Sequence, residues 1–172
     1  MPHSALEIAN EFIRLSGGMI TQMKVQKLAY IAHGWNWAIN GQPLIAEDAK
    51  AWPYGPVYPT LYEHTKYFGR EPIRRPITPD DNEVARFFGD GRQTTKPYAA
   101  ALSAEERAVI EHVWKRYGSL SAIRLSELTH QPNTPWFKAY RSGQGTPLAE
   151  QDIRAHYAEL AQRASNAAIQ AV

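Results

Sequence analysis

Cysteine is absent from the 172-residue chain. Its absence excludes disulfide scaffolds, thiolate metal sites and thiol nucleophiles, and it suits a reducing, cytoplasmic compartment. No apolar run approaches the ~20 residues that a membrane-spanning helix needs, and the opening MPHSALEIANEF lacks the basic start and long apolar run of a signal peptide. No membrane partner is therefore expected. Charge of one sign is also lacking: 19 Lys and Arg against 17 Asp and Glu leave a net charge of +2, too little to demand a nucleic acid or an anionic surface. Catalytic signatures are missing as well. There is no H-E-x-x-H and no G-x-S-x-G, and neither Gly89-Asp90-Gly91 nor Gly143-Gln144-Gly145 continues into a phosphate-binding loop. Both read as turns. The six histidines, His3, His33, His64, His112, His130 and His156, include no pair at i, i+4, so no metal or cofactor is expected.

What the chain does have is aromatic bulk, five Trp and nine Tyr, and one stretch around which the rest organises. In residues 22–40, QMKVQKLAYIAHGWNWAIN, Val25, Leu28, Ile31, Ala32, Trp35 and Ile39 recur at near-helical spacing. A second stripe, Met23, Lys27, Tyr30, Gly34 and Trp37, runs along another side. Leaving such side chains in water forfeits roughly 1.5–3 kcal/mol for each large one. The stretch therefore reads as a central helix with neighbours on several sides, capped by Thr21 and stopped by Gly41.

Helices are predicted on both sides of it. Ser4 and Glu7 form a capping box for a first helix over 4–16, ended by Gly17-Gly18. Residues 42–59 carry Pro43, Pro53, Pro56 and Pro59 and cannot be helical throughout. There Leu44-Ile45-Ala46 and Ala49-Lys50-Ala51-Trp52 are expected to form a short hairpin, with Tyr54-Gly55-Pro56 as a turn. Pro59 suits the start of a helix reaching about residue 68. Residues 70–102 read as a long excursion with one short helix within 80–88 and an extended piece at 73–77. Ser103 and Glu106 make a second capping box, and Val109, Ile110, Val113, Trp114 and Tyr117 form that helix's buried face. A helix capped by Ser119 or Ser121 carries Leu120, Ile123, Leu125 and Leu128. Thr134-Pro135 opens another with Trp136, Phe137 and Tyr140, and the last runs from about 148 to beyond 165. No repeat or linker marks a boundary. The expected fold is mainly α, one compact helical domain over 1–172 around the helix at 22–40, with a small β-hairpin or extended element near 43–57.

Two constellations stand out. Ala51-Trp52-Pro53-Tyr54-Gly55-Pro56-Val57 packs two aromatics and two prolines around a glycine turn. Thr129-His130-Gln131-Pro132-Asn133-Thr134-Pro135-Trp136 joins two helices, with His130 positioned to stabilise the last carbonyls of the first. Singly, each reads as structural, the first as a rigid connector and the second as capping. Together they offer aromatic anchors on loops, the material of a protein-binding surface. The basic residues of the irregular third, Lys66, Arg70, Arg74, Arg75, Arg86, Arg92 and Lys96, are interleaved with acidic ones. They read as a mixed-charge surface rather than a nucleic-acid footprint, with Arg74 and Arg75 available to an acidic partner.

The chain resembles the SocA-like antitoxins, also called the Panacea or GepA-type domain. The resemblance rests on Lys24-Val25-Gln26-Lys27-Leu28-Ala29-Tyr30-Ile31-Ala32-His33, Gly41-Gln42-Pro43-Leu44, Ala51-Trp52, Gly55-Pro56-Val57, Tyr117-Gly118, Leu128-Thr129-His130 and Pro135-Trp136, in that order. It implies a largely helical, non-enzymatic bacterial or phage protein whose partner is a cognate toxin protein. For members of the SocA type it further implies a proteolytic adaptor that delivers the toxin to the ClpXP protease. The expected partner-binding residues are Trp52, Tyr54, Gly55, Pro56, His130 and Trp136, with Arg74 and Arg75. The rival readings are a DNA-binding autoregulator, against which Pro132 makes a poor helix–turn–helix turn, and a small hydrolase using His33 or His130 as general base.

Overall fold

Ser4 begins the first helix, α1 (Ala5–Leu15), by accepting the Glu7 amide on its hydroxyl while the Glu7 carboxylate accepts the Ser4 amide at 2.7 Å. The same reciprocal pair, Ser103 and Glu106, opens α5 (Ala104–Tyr117). The computed structural model describes residues 1–90, 92 and 95–170. Between these two helices lie α2 (Gln22–Asn40), strands β1 (Lys50–Trp52) and β2 (Gly55–Val57), α3 (Pro59–Thr65), a 3₁₀ turn at Lys66–Phe68, and α4 (Glu83–Phe88). After α5 come α6 (Ala122–His130), α7 (Pro135–Arg141) and α8 (Glu150–Gln170). Proline at the first position opens both α3 and α7. Ser121, not Ser119, caps α6.

Every residue of α2 from Val25 to Asn36 is buried. The helix is enclosed by α1, α3, α5, α6, α8 and β2, so it has no single polar side, as a helix at the centre of a fold should. Thr21 holds the N-cap position without a capping bond from its side chain, and Gly41 ends the helix in the left-handed region at φ 66°. The crossing with α8 is made possible by Gly34. A Cβ there would lie 2.2 Å from the ring of Tyr157, which itself meets Tyr30 and Trp35 edge-on at 6.1 and 6.0 Å.

Three details differ from the sequence reading. Ile39, expected in the core, is 54% exposed because the last turn of α2 runs past its neighbours, and Ile123 on α6 is exposed too. The strand at 50–52 pairs not with 44–46 but with Gly55–Val57, antiparallel, with Ala51 opposite Pro56 and Trp52 opposite Gly55. Gly55 at φ 108° accepts the turn that this tight reversal requires, while Ile45 is drawn away to bridge His3. The expected extended piece at 73–77 is a single bridge between Ile73 and Ile20. Among the described residues no helix is long and apolar enough to cross a membrane. The turn read at Gly89-Asp90-Gly91 runs into Gly91, which lies outside the described residues.

Candidate functional site

Two polar side chains of α2, Gln26 and Lys27, hold the hairpin, while a third, Lys24, ties the helix to α5. Lys24 donates to the carbonyl of Gly118 at the end of α5. Gln26 accepts the Tyr58 amide at 2.9 Å and donates to the Tyr58 carbonyl at 3.1 Å. Lys27 donates to the carbonyl of Pro56 at 2.9 Å. Lys27 is only 1% exposed, and burial pushes its amine down to about 7, because an ammonium ion loses its hydration there. Gly55 lies directly over it: a Cβ at that position would stand 3.0 Å from Lys27 Cε and 2.9 Å from Thr129 Oγ1.

From the other side, α6 and α7 hold the hairpin turn by its carbonyls. Ser126 Oγ donates to the Tyr54 carbonyl at 2.7 Å, His130 Nε2 to that of Pro53 at 2.8 Å, and Trp136 Nε1 to that of Trp52 at 2.7 Å. His130 meets the ring of Trp136 edge-on at 4.3 Å, and Trp136 stacks on Tyr140 at 4.7 Å. His130 thus binds a distant carbonyl rather than the last carbonyls of its own helix. β1 is held along its outer side by residues 145–148, through Gly145 and Thr146 with Ala51 and through Leu148 with Ala49.

The tip that results carries the Tyr54 side chain into solvent, 72% exposed. Beside it, between the start of α2 and α3, runs a groove of about 360 Å³ whose walls include Met23, Lys27, Trp52, Pro53 and Tyr62. Trp52 is half-buried there, edge-on to Tyr62 at 4.9 Å. Of the residues named from the sequence, the fold brings together Trp52, Tyr54, Gly55, Pro56, His130 and Trp136. Within that group, Trp52 and Tyr54 face outward while Gly55, Pro56 and Trp136 are buried beneath them. Arg74 is exposed, next to the Gly18 turn. Arg75 is bound to Asp81 by two bonds of 2.8 and 2.7 Å. Sequence reasoning missed Gln26, Lys27 and Ser126 as the hairpin's supports. The available signal was a lysine in an otherwise apolar and aromatic helical stripe.

The second histidine of interest, His33, is fully engaged. Its Nδ1 accepts the Ile45 amide at 3.1 Å, so the ring proton lies on Nε2, facing the Glu150 carboxylate at 3.1 Å. Burial raises the Glu150 carboxyl, but the bonds from His33 and Trp37 and the charge of Arg154 outweigh it and hold the group below the usual carboxylate range. The arrangement ties α2 to the start of α8.

Residues 25–137 match the family model described as antitoxin SocA-like, Panacea domain, a stretch that contains the hairpin and all of its supports from α2, α6 and α7. The chain is similar to Antitoxin SocA of Caulobacter vibrioides (strain NA1000 / CB15N), 27% identical over 134 residues. That alignment covers 75% of this chain but 64% of the relative, so the chain spans less than two thirds of that protein's length. No solved structure matches. With about two thirds of its length matched by that model, the chain belongs to the SocA-like antitoxin family of the Panacea domain.

Proposed function

We propose that this protein is a non-enzymatic antitoxin that binds and neutralises a cognate toxin protein, and that it also acts as an adaptor delivering the toxin to ClpXP. The observation that carries the binding reading is Tyr54, an exposed aromatic on a hairpin whose turn carbonyls are bound by side chains of two helices. An aromatic anchor presented on a rigid support loses little conformational freedom on binding, which is why such residues dominate interfaces. Trp52 and the neighbouring groove extend the surface. Family membership and the name of the Caulobacter relative support the toxin as partner. The adaptor role rests on the family resemblance. Against the DNA-binding reading, α7 turns Trp136 inward to the hairpin and offers aromatics where base recognition favours Arg, Asn or Gln.

The test is co-expression with the neighbouring small open reading frame, followed by co-purification and a growth assay with and without ClpXP. A neighbour that is toxic alone, harmless with this protein and recovered in complex with it is the expected result. Loss of protection in cells without ClpXP identifies the adaptor step, and retained protection removes it. A harmless, non-binding neighbour overturns the antitoxin reading for that pair. Tyr54→Ala is expected to weaken toxin binding by roughly thirtyfold or more, the effect of losing a central anchor worth about 2 kcal/mol. Its stability should move by no more than about 0.5 kcal/mol, as for other exposed positions. Unchanged binding by the folded variant removes Tyr54 from the interface.

A further inference from the structure

Beneath the junction of α6 and α7, bounded by α2, α5 and α8, is a cavity of about 210 Å³. Leu128 and Leu160 supply apolar wall, and Tyr30 and Tyr157 supply ring edges. Ligand sites combine such walls with a few polar groups, and besides Thr129, Gln131 and Thr134 the lining here includes Tyr30, Tyr157 and Arg116. Tyr30 and Tyr157 are 2% and 4% exposed, and among the described residues neither hydroxyl has a hydrogen-bond partner in the protein. Among the described residues the unpartnered hydroxyls sealed from solvent are those of Tyr58 and Tyr67; those of Tyr30 and Tyr157, both residues of the cavity wall, are not among them. A buried phenol without a partner is costly, which leaves both free to bond whatever fills the space.

The third group is Arg116. Its guanidinium lies 5.4 Å from the ring of Trp35 and 5.5 Å from that of Tyr117, and no carboxylate pairs with it among the described residues. His156 also lines the cavity, where burial lowers its pKa. Among the described lining residues Arg116 is the one Arg, Lys, Asp or Glu side chain. Its planar fork matches a carboxylate. Pockets for drug-sized ligands run from about 300 to 1,000 Å³, so a cavity of 210 Å³ suits a single ring. We propose that this cavity binds a small monocyclic aromatic carboxylate, with its ring among Tyr30, Leu128, Tyr157 and Leu160 and its carboxylate on Arg116. None of Trp52, Tyr54, Gly55, Pro56, His130 and Trp136 is among its lining residues, so the proposal does not rest on the toxin-binding reading.

Benzoate titrated into the full chain, followed by calorimetry and by methyl shifts in the NMR spectrum, tests this. The expected result is saturable binding, with shifts centred on Leu128 and Leu160. Arg116→Gln, at an exposed position, should weaken it about ten- to a hundredfold, the loss of a charge-assisted pair, and Arg116→Lys should recover part of it. Tyr30→Phe reports on the hydroxyl contact and is expected to weaken binding severalfold. Benzamide, equal in shape but neutral, should bind at least tenfold more weakly. Absence of saturable benzoate binding, equal binding of benzamide, or undiminished binding by folded Arg116→Gln each overturns the assignment.

Discussion

Replacing Lys27 with methionine is expected to remove most of a rise in stability, about 5 kcal/mol, expected of the native protein between neutral and alkaline pH. The folded-state pKa of Lys27 is about 7, against an ordinary value of 10.5. Within that window the unfolded chain holds a proton that the folded chain lacks, so stability climbs with pH. Below the window both states are protonated and the fold carries the full penalty of a buried ammonium. Above it both are neutral. The displacement from 10.5 to about 7, at about 1.4 kcal/mol per unit, gives the magnitude. Tyr30, Tyr58 and Tyr157 act in the opposite sense. Burial raises all three well above 10, so the fold loses stability once the unfolded chain's tyrosines ionise. The native protein should therefore be most stable near pH 10, and Lys27→Met should keep the alkaline decline and only the smaller rise owed to Lys24, whose pKa burial also lowers. Urea midpoints across this range decide the matter, and a rise undiminished in the methionine variant refutes the desolvated-amine assignment.

The second large effect reverses an ordinary rule. Alanine is favoured over glycine inside a helix by about 1 kcal/mol, yet Gly34→Ala is expected to destabilise this protein by about 3 kcal/mol. The new methyl would lie 2.2 Å from Tyr157 Cδ2 and Cε2. Tyr30 and Trp35, both on α2, meet that ring edge-on, so relief requires it to leave both contacts. α8 must then lift from α2, and overpacking of this kind commonly costs about 1–3 kcal/mol, sometimes more. The mechanism has a distinct signature. In a Tyr157→Ala background the methyl has room, so the double variant should be scarcely less stable than Tyr157→Ala alone. Additive losses in the cycle would show that the clash is not the cause.

Much of the fold was legible wherever the cause was local. The capping boxes at Ser4 and Ser103, proline at the head of α3 and α7, and the glycine stop at Gly41 involve atoms a few residues apart. The central position of α2 followed from apolar and aromatic residues on two sides of one helix. The strand pairing was misread because Leu44-Ile45-Ala46 and Gly55-Pro56-Val57 are both adequate partners for residues 50–52. The choice is settled by contacts from elsewhere: His3 takes Ile45, and α2 takes Pro56 and Tyr58. The cluster of Trp52, Tyr54, His130 and Trp136 was readable as two aromatic constellations. Its supports were not. Nothing in the spacing of Gln26 or Lys27 indicates that each bonds a backbone group about 30 residues away, and Ser126 reaches one 72 positions back.

The hairpin's bonding has a consequence for how a partner can engage it. Exposed strand edges invite another chain to add a strand through main-chain hydrogen bonds. Here β1 is already flanked by residues 145–148. On the β2 side, Pro56 has no N–H to offer, its carbonyl is taken by Lys27, and the amide and carbonyl of Tyr58 are both taken by Gln26. Two side chains of a helix thus do the work of a neighbouring strand. With no edge left to extend, any protein that docks on this hairpin must be recognised by its side chains, and specificity at this face rests on what Trp52, Tyr54 and their groove can accept.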